Sequence, residues 1–177
     1  AVRTMTWFQN DLWVGGHFTL EGGGPAELAV WRRGGGWSTP PGGASDGPVY
    51  TLLAEQGAIV IGGSFSQVGG VAARSVAAFD GTSWQALSLD AFEPEPSPVF
   101  TGGPVVFGLT RDDTGALVAG GAFYPQGTSS GGVARWNGSR WEPLGSGLNS
   151  YGGLAGDTPA VVADVAFFKG HVYAAGC

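Results

Sequence analysis

The sequence has one cysteine, one methionine and two histidines among 177 residues, and Lys169 is its single lysine. With Cys177 as the only thiol, neither an intramolecular disulfide nor a thiolate metal cage can be built within one chain. Eight basic against fourteen acidic residues give a formal net charge of −6 and a pI near 4.6. That balance argues against nucleic acid, whose binding is driven by cation-for-counterion exchange, and against an anionic membrane surface. No apolar run approaches the length of about 18 residues that a spanning helix needs. Residues 1–30 show no charged leader followed by an apolar stretch, so no signal peptide is visible. Helical signals are missing as well: stretches poor in glycine and proline, such as Val71 to Asp80, already carry a strand pattern.

What the sequence does have is glycine, 34 residues, with 11 prolines. Together they make about a quarter of the chain, close to low-complexity composition. Yet 43% of residues are apolar and 12% aromatic, including seven tryptophans and ten phenylalanines. Such side chains offset the entropy of ordering, so the chain is expected to fold.

Self-comparison shows a repeat. Asn10-Asp-Leu-Trp-Val-Gly-Gly-His-Phe18 recurs as Gly57-Ala-Ile-Val-Ile-Gly-Gly-Ser-Phe65 and Gly115-Ala-Leu-Val-Ala-Gly-Gly-Ala-Phe123, and a fourth copy runs from Gly170 to Cys177. The second glycine falls at 16, 63, 121 and 176, giving periods of 47, 58 and 55. These suit one four-stranded propeller blade per repeat and exceed ankyrin or leucine-rich periods. A second motif follows: Ala29 to Trp37, Ala77 to Trp84 and Ala134 to Trp141, in which aromatics bracket a turn. Asp80-Gly81 and Asn137-Gly138 predict tight hairpins with positive φ at the corner. Short apolar segments, Val2 to Met5, Val49 to Leu53, Val105 to Leu109 and Val161 to Ala166, precede each Gly-Gly string. Each repeat therefore reads as four short antiparallel strands, and the class as all-β.

The strand ending in Gly-Gly is apolar on both faces, Leu12 and Val14 alternating with Trp13, and Ile59 and Ile61 with Val60. It must be covered from both sides, as in sheets stacked face to face. The glycines are then expected to admit a neighbouring sheet or backbone, or a bulge, with the phenylalanine two residues later filling the adjacent space. Ser88–Gly103 and Gly145–Pro159 read as surface loops. In an up-and-down sheet they share one rim with the turns Thr19–Glu27, Ser66–Ala73 and Tyr124–Gly132, which is where a binding face, if the protein has one, is expected.

These motifs resemble extracellular kelch-like β-propeller repeats of the form G-x-L-Y-V-G-G-x-F, then I-A-x-W-D-G-S-x-W-x-P-L-G, most closely in Ala134 to Gly145. The pattern is similar to the fungal cortical cell-polarity marker family and to secreted bacterial and algal surface proteins. The resemblance covers nearly the whole chain and implies a secreted or cell-surface role in structure or adhesion. The repeats are expected at 1–48, 49–103, 104–158 and, incomplete, 159–177. The first departs from the pattern at Arg32-Arg33-Gly-Gly-Gly, which makes its last hairpin the weakest match. Three and a half repeats do not close a ring of about four to eight blades. Either further chain or another copy is expected to complete the edges.

Candidate chemistry is sparse. Kelch propellers include copper radical oxidases, which implies asking whether four tyrosines, His17, His171 and Cys177 could form such a site. His17 and Cys177 share one repeat register and His171 falls at a hairpin turn, so the parts do not converge, and both histidines are expected at strand ends without special partners. Asp112-Asp113 and Glu93/Glu95 are acid pairs in loops; Asp112 to Gly115 reads as a turn, with calcium as the alternative. Gly145-Ser-Gly-Leu is no nucleophile elbow, and no glycine-rich segment leads into Lys-Ser/Thr and a helix. Asn137-Gly138-Ser139 is an N-glycosylation acceptor in an exposed turn, while Thr39-Pro40-Pro41 and Ser97-Pro98 are weaker O-linked candidates. Trp31, Trp37, Trp136 and Trp141 could stack on sugars, but their recurrence fits packing better.

The expectation is a non-enzymatic surface module with no cofactor, no metal and no catalytic residue. Its partners would be other copies of itself, other surface proteins or glycans. A lectin-like propeller is the alternative, and a copper radical oxidase the next.

Overall fold

The computed structural model describes residues 1–21, 23–55, 57–94, 102–128, 130–150 and 158–177, without the side chains of 25, 150, 158 and 159. Among these the secondary structure is entirely β, with no helix. The chain divides into two compact units, Ala1–Leu87 and Ser88–Cys177, so the boundary falls inside the expected second repeat, 49–103.

In the first unit, β1 (Val2–Phe8), β2 (Asp11–Thr19), β3 (Pro25–Arg32) and β4 (Gly36–Ser38) form one antiparallel meander. The second sheet starts with β5 (Val49–Glu55) and β6 (Ala58–Gly63). The chain then leaves it for a small hairpin, β7 (Gln67–Val68) with β8 (Val71–Ala72), and returns as β9 (Val76–Phe79) and β10 (Trp84–Ala86). The order β10-β9-β6-β5 repeats that of the first sheet. The irregular first repeat keeps its last hairpin, since β3 and β4 pair Trp31 with Trp37.

Residues directly across a ladder share a face. The pairs Trp7↔Leu12, Leu12↔Trp31 and Trp31↔Trp37 define the front of the first sheet, whereas Phe8, Trp13, Leu28 and Val30 lie on its back. On the second sheet Ile59, Phe79 and Trp84 stand at the front, in the positions of Leu12, Trp31 and Trp37. This front packs on the back of the first sheet in one apolar cluster. Trp13 is its centre, 5.6 Å from Phe79, 6.1 Å from Trp84 and 6.1 Å from Phe8, centroid to centroid. Tilted and edge-on pairs like these add roughly 0.5–1.5 kcal/mol each beyond their buried area. The front of the apolar strand is thus covered, and Ile59, Val60 and Ile61 are all buried.

The second unit follows the same plan. Its strands are β11 (Phe92–Pro94), β12 (Val105–Arg111), β13 (Leu117–Pro125), β14 (Val133–Trp136), β15 (Trp141–Pro143), the short pair β16 (Asn149–Ser150) and β17 (Thr158–Pro159), then β18 (Val162–Phe168) and β19 (His171–Gly176). The meander β12-β13-β14-β15 gains β11 as a further strand beside β13. Val162 and Val165 of the β18–β19 hairpin pack on Val118 and Val133 of that sheet.

Each glycine of the Gly-Gly pair has its own task. At the first, the neighbouring sheet comes close: a Cβ on Gly15 would meet Val49 Cγ1 at 2.8 Å, and one on Gly120 would meet Val162 Cγ1 at 2.8 Å. At the second, a Cβ would fall on the carbonyl oxygen of Ala1 (Gly16), Pro48 (Gly63), Val105 (Gly121) or Val161 (Gly176). That clash lies beside the register shift present in every β1–β2-type ladder. Phe65 and Phe123 do fill the adjacent space, both buried.

Two expectations need correction. The segment from Ser88 is not simply a surface loop, because Leu89 and Phe92 are buried, and Phe92 meets Phe123 edge-on at 5.4 Å. Apolar side chains in an otherwise polar link pull it into the core and add β11 to the sheet. The Asp80 and Asn137 hairpins also differ from tight two-residue turns. Four residues connect the strands, and only Gly81 and Gly138 take positive φ, 98° and 103°.

Candidate functional site

The expected rim exists within each unit. In the first, Ser45 bridges to Val68 and the Asp46 amide donates to the Gln67 carbonyl, joining the loop that follows β4 to the β7–β8 hairpin. Asp46 fastens the contact, its carboxylate accepting from the Ser66 amide (2.8 Å) and hydroxyl and from the Gln67 amide (3.0 Å). In the second unit Gly131 bridges to Leu148, and Gln126 Nε2 donates to Glu93 Oε1 at 2.9 Å. The polar groups of these loops thus bind one another.

His17 lies at the same end of the first sheet. Its ring is exposed, contrary to the expectation of no special partner: Nδ1 is 2.5 Å from Glu27 Oε1 on the adjacent strand. Glu27 is only 15% exposed, and its Oε2 is buried without a hydrogen bond. Cys177 is exposed and exchanges both backbone bonds with Val161, as His17 donates to Ala1 in the first repeat, so the two share a register. His171 instead closes the opposite end of β19, with Nδ1 2.9 Å from the Lys169 carbonyl oxygen and its ring beside Tyr173. Of the tyrosines, Tyr50 lies under Arg3, Tyr124 pairs with Glu93 near the end of β13, and Tyr151 lies outside the described residues. Among the described residues no three His, Cys, Asp or Glu side chains gather as a metal site.

Of the acid pairs, only Asp112 is seen to clamp a turn. Asp112 Oδ1 accepts from the Thr114 hydroxyl (2.6 Å) and from the Thr114 and Ala116 amides, while Oδ2 takes Arg135 Nε at 2.6 Å. The Thr114 hydroxyl first, and Arg135 against the opposing effect of burial, hold this carboxyl well below its ordinary value of 3.8. Asp113 takes no part in the clamp. Asp80 does the same in its hairpin, held low by the Thr82 hydroxyl and the Ser83 and Thr82 amides. At Asp46 burial pulls the carboxyl up, but bonds from Ser66 and Gln67 outweigh it and the net direction is down. Calcium at Asp112 would have to displace a guanidinium already paired there. Glu95 and Ser97-Pro98 lie outside the described residues.

The direction of these shifts predicts acid sensitivity. A carboxyl whose folded pKa is depressed contributes fully above its ordinary value, and that stability is lost as pH falls through the folded pKa. Urea midpoints should therefore hold steady above about pH 5 and drop below about pH 4. Asp112→Asn should cost about 1–2 kcal/mol at neutral pH through its weakened clamp and flatten the acid slope. Urea titrations across pH 2–8 on both proteins check this, and an unchanged slope would contradict it.

Asn137 occupies the place of Asp80. Its Oδ1 accepts from the Ser139 amide and hydroxyl and the Arg140 amide, all at 3.0 Å, and its Nδ2 donates to Glu142 at 2.7 Å. The side chain is exposed, so a sugar on Nδ2 would point to solvent and leave one hydrogen for Glu142. Of the recurring tryptophans, Trp141 is buried, Trp31 and Trp136 are half-buried, and Trp37 is 49% exposed. Trp136 meets Trp141 edge-on at 5.5 Å, the packing role expected of that register.

No protein-family model matches the chain, and no curated protein matches it. What it does rests on its own geometry.

Proposed function

We propose that this chain is a non-enzymatic, extracellular segment of kelch-like β-propeller type, serving as a structural or adhesive module. The observation that carries the reading is the repeated packing of the next sheet on the preceding one, a four-stranded sheet in the first unit and the two-stranded β18–β19 hairpin in the second. Stacked meanders with two-sided apolar strands are how propeller blades bury their faces. The chemistry-bearing side chains support a scaffold, since Asp46, Asp80 and Asp112 are committed to turns. Sugar binding through the recurring tryptophans has less support, because Trp141 and Trp84 are packing residues.

The test coats beads with the 177-residue chain and scores their clumping, beside a glycan array and a copper-dependent peroxide assay. Clumping without signal in the other two is the expected result. Array signal or peroxide without clumping would overturn the reading in favour of a lectin or an oxidase.

Asn137 is proposed to carry an N-linked glycan when the chain passes through a glycosylating secretory route. Asn137→Asp should abolish the glycan mass shift while keeping stability within about 0.5 kcal/mol, because Asp80 makes the same turn with a carboxylate. Intact mass before and after glycosidase, with a thermal melt of the variant, decides both halves.

A further inference from the structure

Glycine follows an aspartate or asparagine at three places in the chain: Asp46-Gly47, Asp80-Gly81 and Asn137-Gly138. Such a pair can close a ring on itself, because a glycine nitrogen, with no side chain beside it, can approach and attack the preceding side chain's Cγ. The attack needs an electrophilic carbon, and an ionised carboxylate is a poor one. At Asp80 the Thr82 hydroxyl and the Ser83 amide hold the carboxyl below its ordinary value. At Asp46, against the pull of burial, the Ser66 and Gln67 donors do the same. Both aspartates are thereby kept in the unreactive form.

Asn137 has the same kind of turn as Asp80 and the opposite chemistry. Its amide is uncharged, and Oδ1 receives the Ser139 amide, the Ser139 hydroxyl and the Arg140 amide, each at 3.0 Å. Donors around a carbonyl oxygen stabilise the negative charge it gains when its carbon is attacked. They come from the two residues beyond Gly138, so the side chain is folded forward along the chain, toward the side of the Gly138 nitrogen. Among the described residues, the Gly138 N–H donates to no protein group, and both residues are exposed. A Cβ on Gly138 would meet nothing within 4 Å, so the turn is open to solvent.

We propose that Asn137 is a site of spontaneous deamidation in the folded chain, converted through a cyclic imide to aspartate and isoaspartate. The Gly138 nitrogen gives its proton to solvent and bonds to Cγ, the Cγ–Nδ2 bond breaks, and Nδ2 takes up a proton and leaves as ammonia. Water then opens the imide: cleaving the bond to Cγ gives aspartate, and cleaving the bond to the main-chain carbonyl carbon gives isoaspartate. In sum one water is consumed and one ammonia released. Aspartate at 137 then stands as Asp80 does in its own turn. A glycan on Nδ2 replaces the hydrogen of the leaving group with a sugar, so glycosylation and deamidation are alternative fates of this side chain. The inference goes beyond the adhesive reading and does not depend on it.

The test is peptide mapping by mass spectrometry on the full, unglycosylated chain held native at mildly alkaline pH and body temperature, with fragmentation that separates isoaspartate from aspartate. The peptide holding Asn137 should gain one dalton and yield both products. It should do so about tenfold or more faster than Asn10 and Asn149, which precede Asp11 and Ser150, and than isoaspartate forms at Asp46 or Asp80. Ser139→Ala removes one donor to Oδ1 and keeps both backbone donors, and it should slow the gain about threefold in the native chain and not at all in urea. No gain at Asn137, a gain no faster than at Asn10 and Asn149, or isoaspartate forming as fast at Asp80 would each overturn the proposal. A Ser139→Ala rate equal to that of the wild type in the native chain would overturn the part assigned to the folded turn.

Discussion

Trp13→Ala should lower unfolding stability by about 3–5 kcal/mol, the largest loss expected from any single truncation in the first unit. Trp13 is 2% exposed and touches aromatic rings from three directions, two of them on the neighbouring sheet. Removing the indole forfeits its transfer energy and leaves a cavity that Phe8, Phe79 and Trp84, each held by its own strand, cannot close. Trp37→Ala removes the same side chain from an exposed site and should cost less than about 1 kcal/mol, mainly a cross-strand pair with Trp31. Urea unfolding followed by near-ultraviolet circular dichroism measures both. Equal losses for the two variants would mean that the sheets do not pack as described.

Gly121→Ala is the second large effect, about 3 kcal/mol and at the upper end of overpacking costs. One added methyl would fall on the Val105 carbonyl oxygen and lie 2.9 Å from Phe123 Cε1. Neither can yield: the carbonyl belongs to the β12–β13 ladder at its register shift, and Phe123 is fully buried. Gly24→Ala is the control, since nothing lies within 4 Å of a Cβ there. Thermal unfolding of both variants tests it. A Gly121→Ala protein as stable as the control would show that the close backbone approach is not obligatory.

The repeat was legible because its signals are local. Gly-Gly followed two residues on by phenylalanine, and aromatics bracketing a turn, place strands and hairpins without reference to anything distant, and all three complete repeats form as four-stranded meanders. Two-sided apolarity also pointed to a sheet packed on the Gly-Gly strand, and one such contact is present in each unit. The candidate sites were less legible. Asp112 and Asn137 could be found by residue type, but the sequence did not show that Arg135 donates to Asp112 Oδ2 or that Asn137 Nδ2 donates to Glu142. Nothing near His17 in the sequence marked Glu27, which pairs with it only because β2 and β3 lie side by side.

From the sequence alone came the all-β class, the period and the need for glycine at two adjacent positions, since all three follow from local backbone and side-chain periodicity. Only the tertiary structure assigned one glycine to a neighbouring sheet and the other to a carbonyl. It alone buried Phe92 against Phe123 and separated the packed Trp13 and Trp84 from the bare Trp37. Those outcomes depend on which surface covers which, and a side chain's own neighbours along the chain carry no record of what packs on it from another sheet.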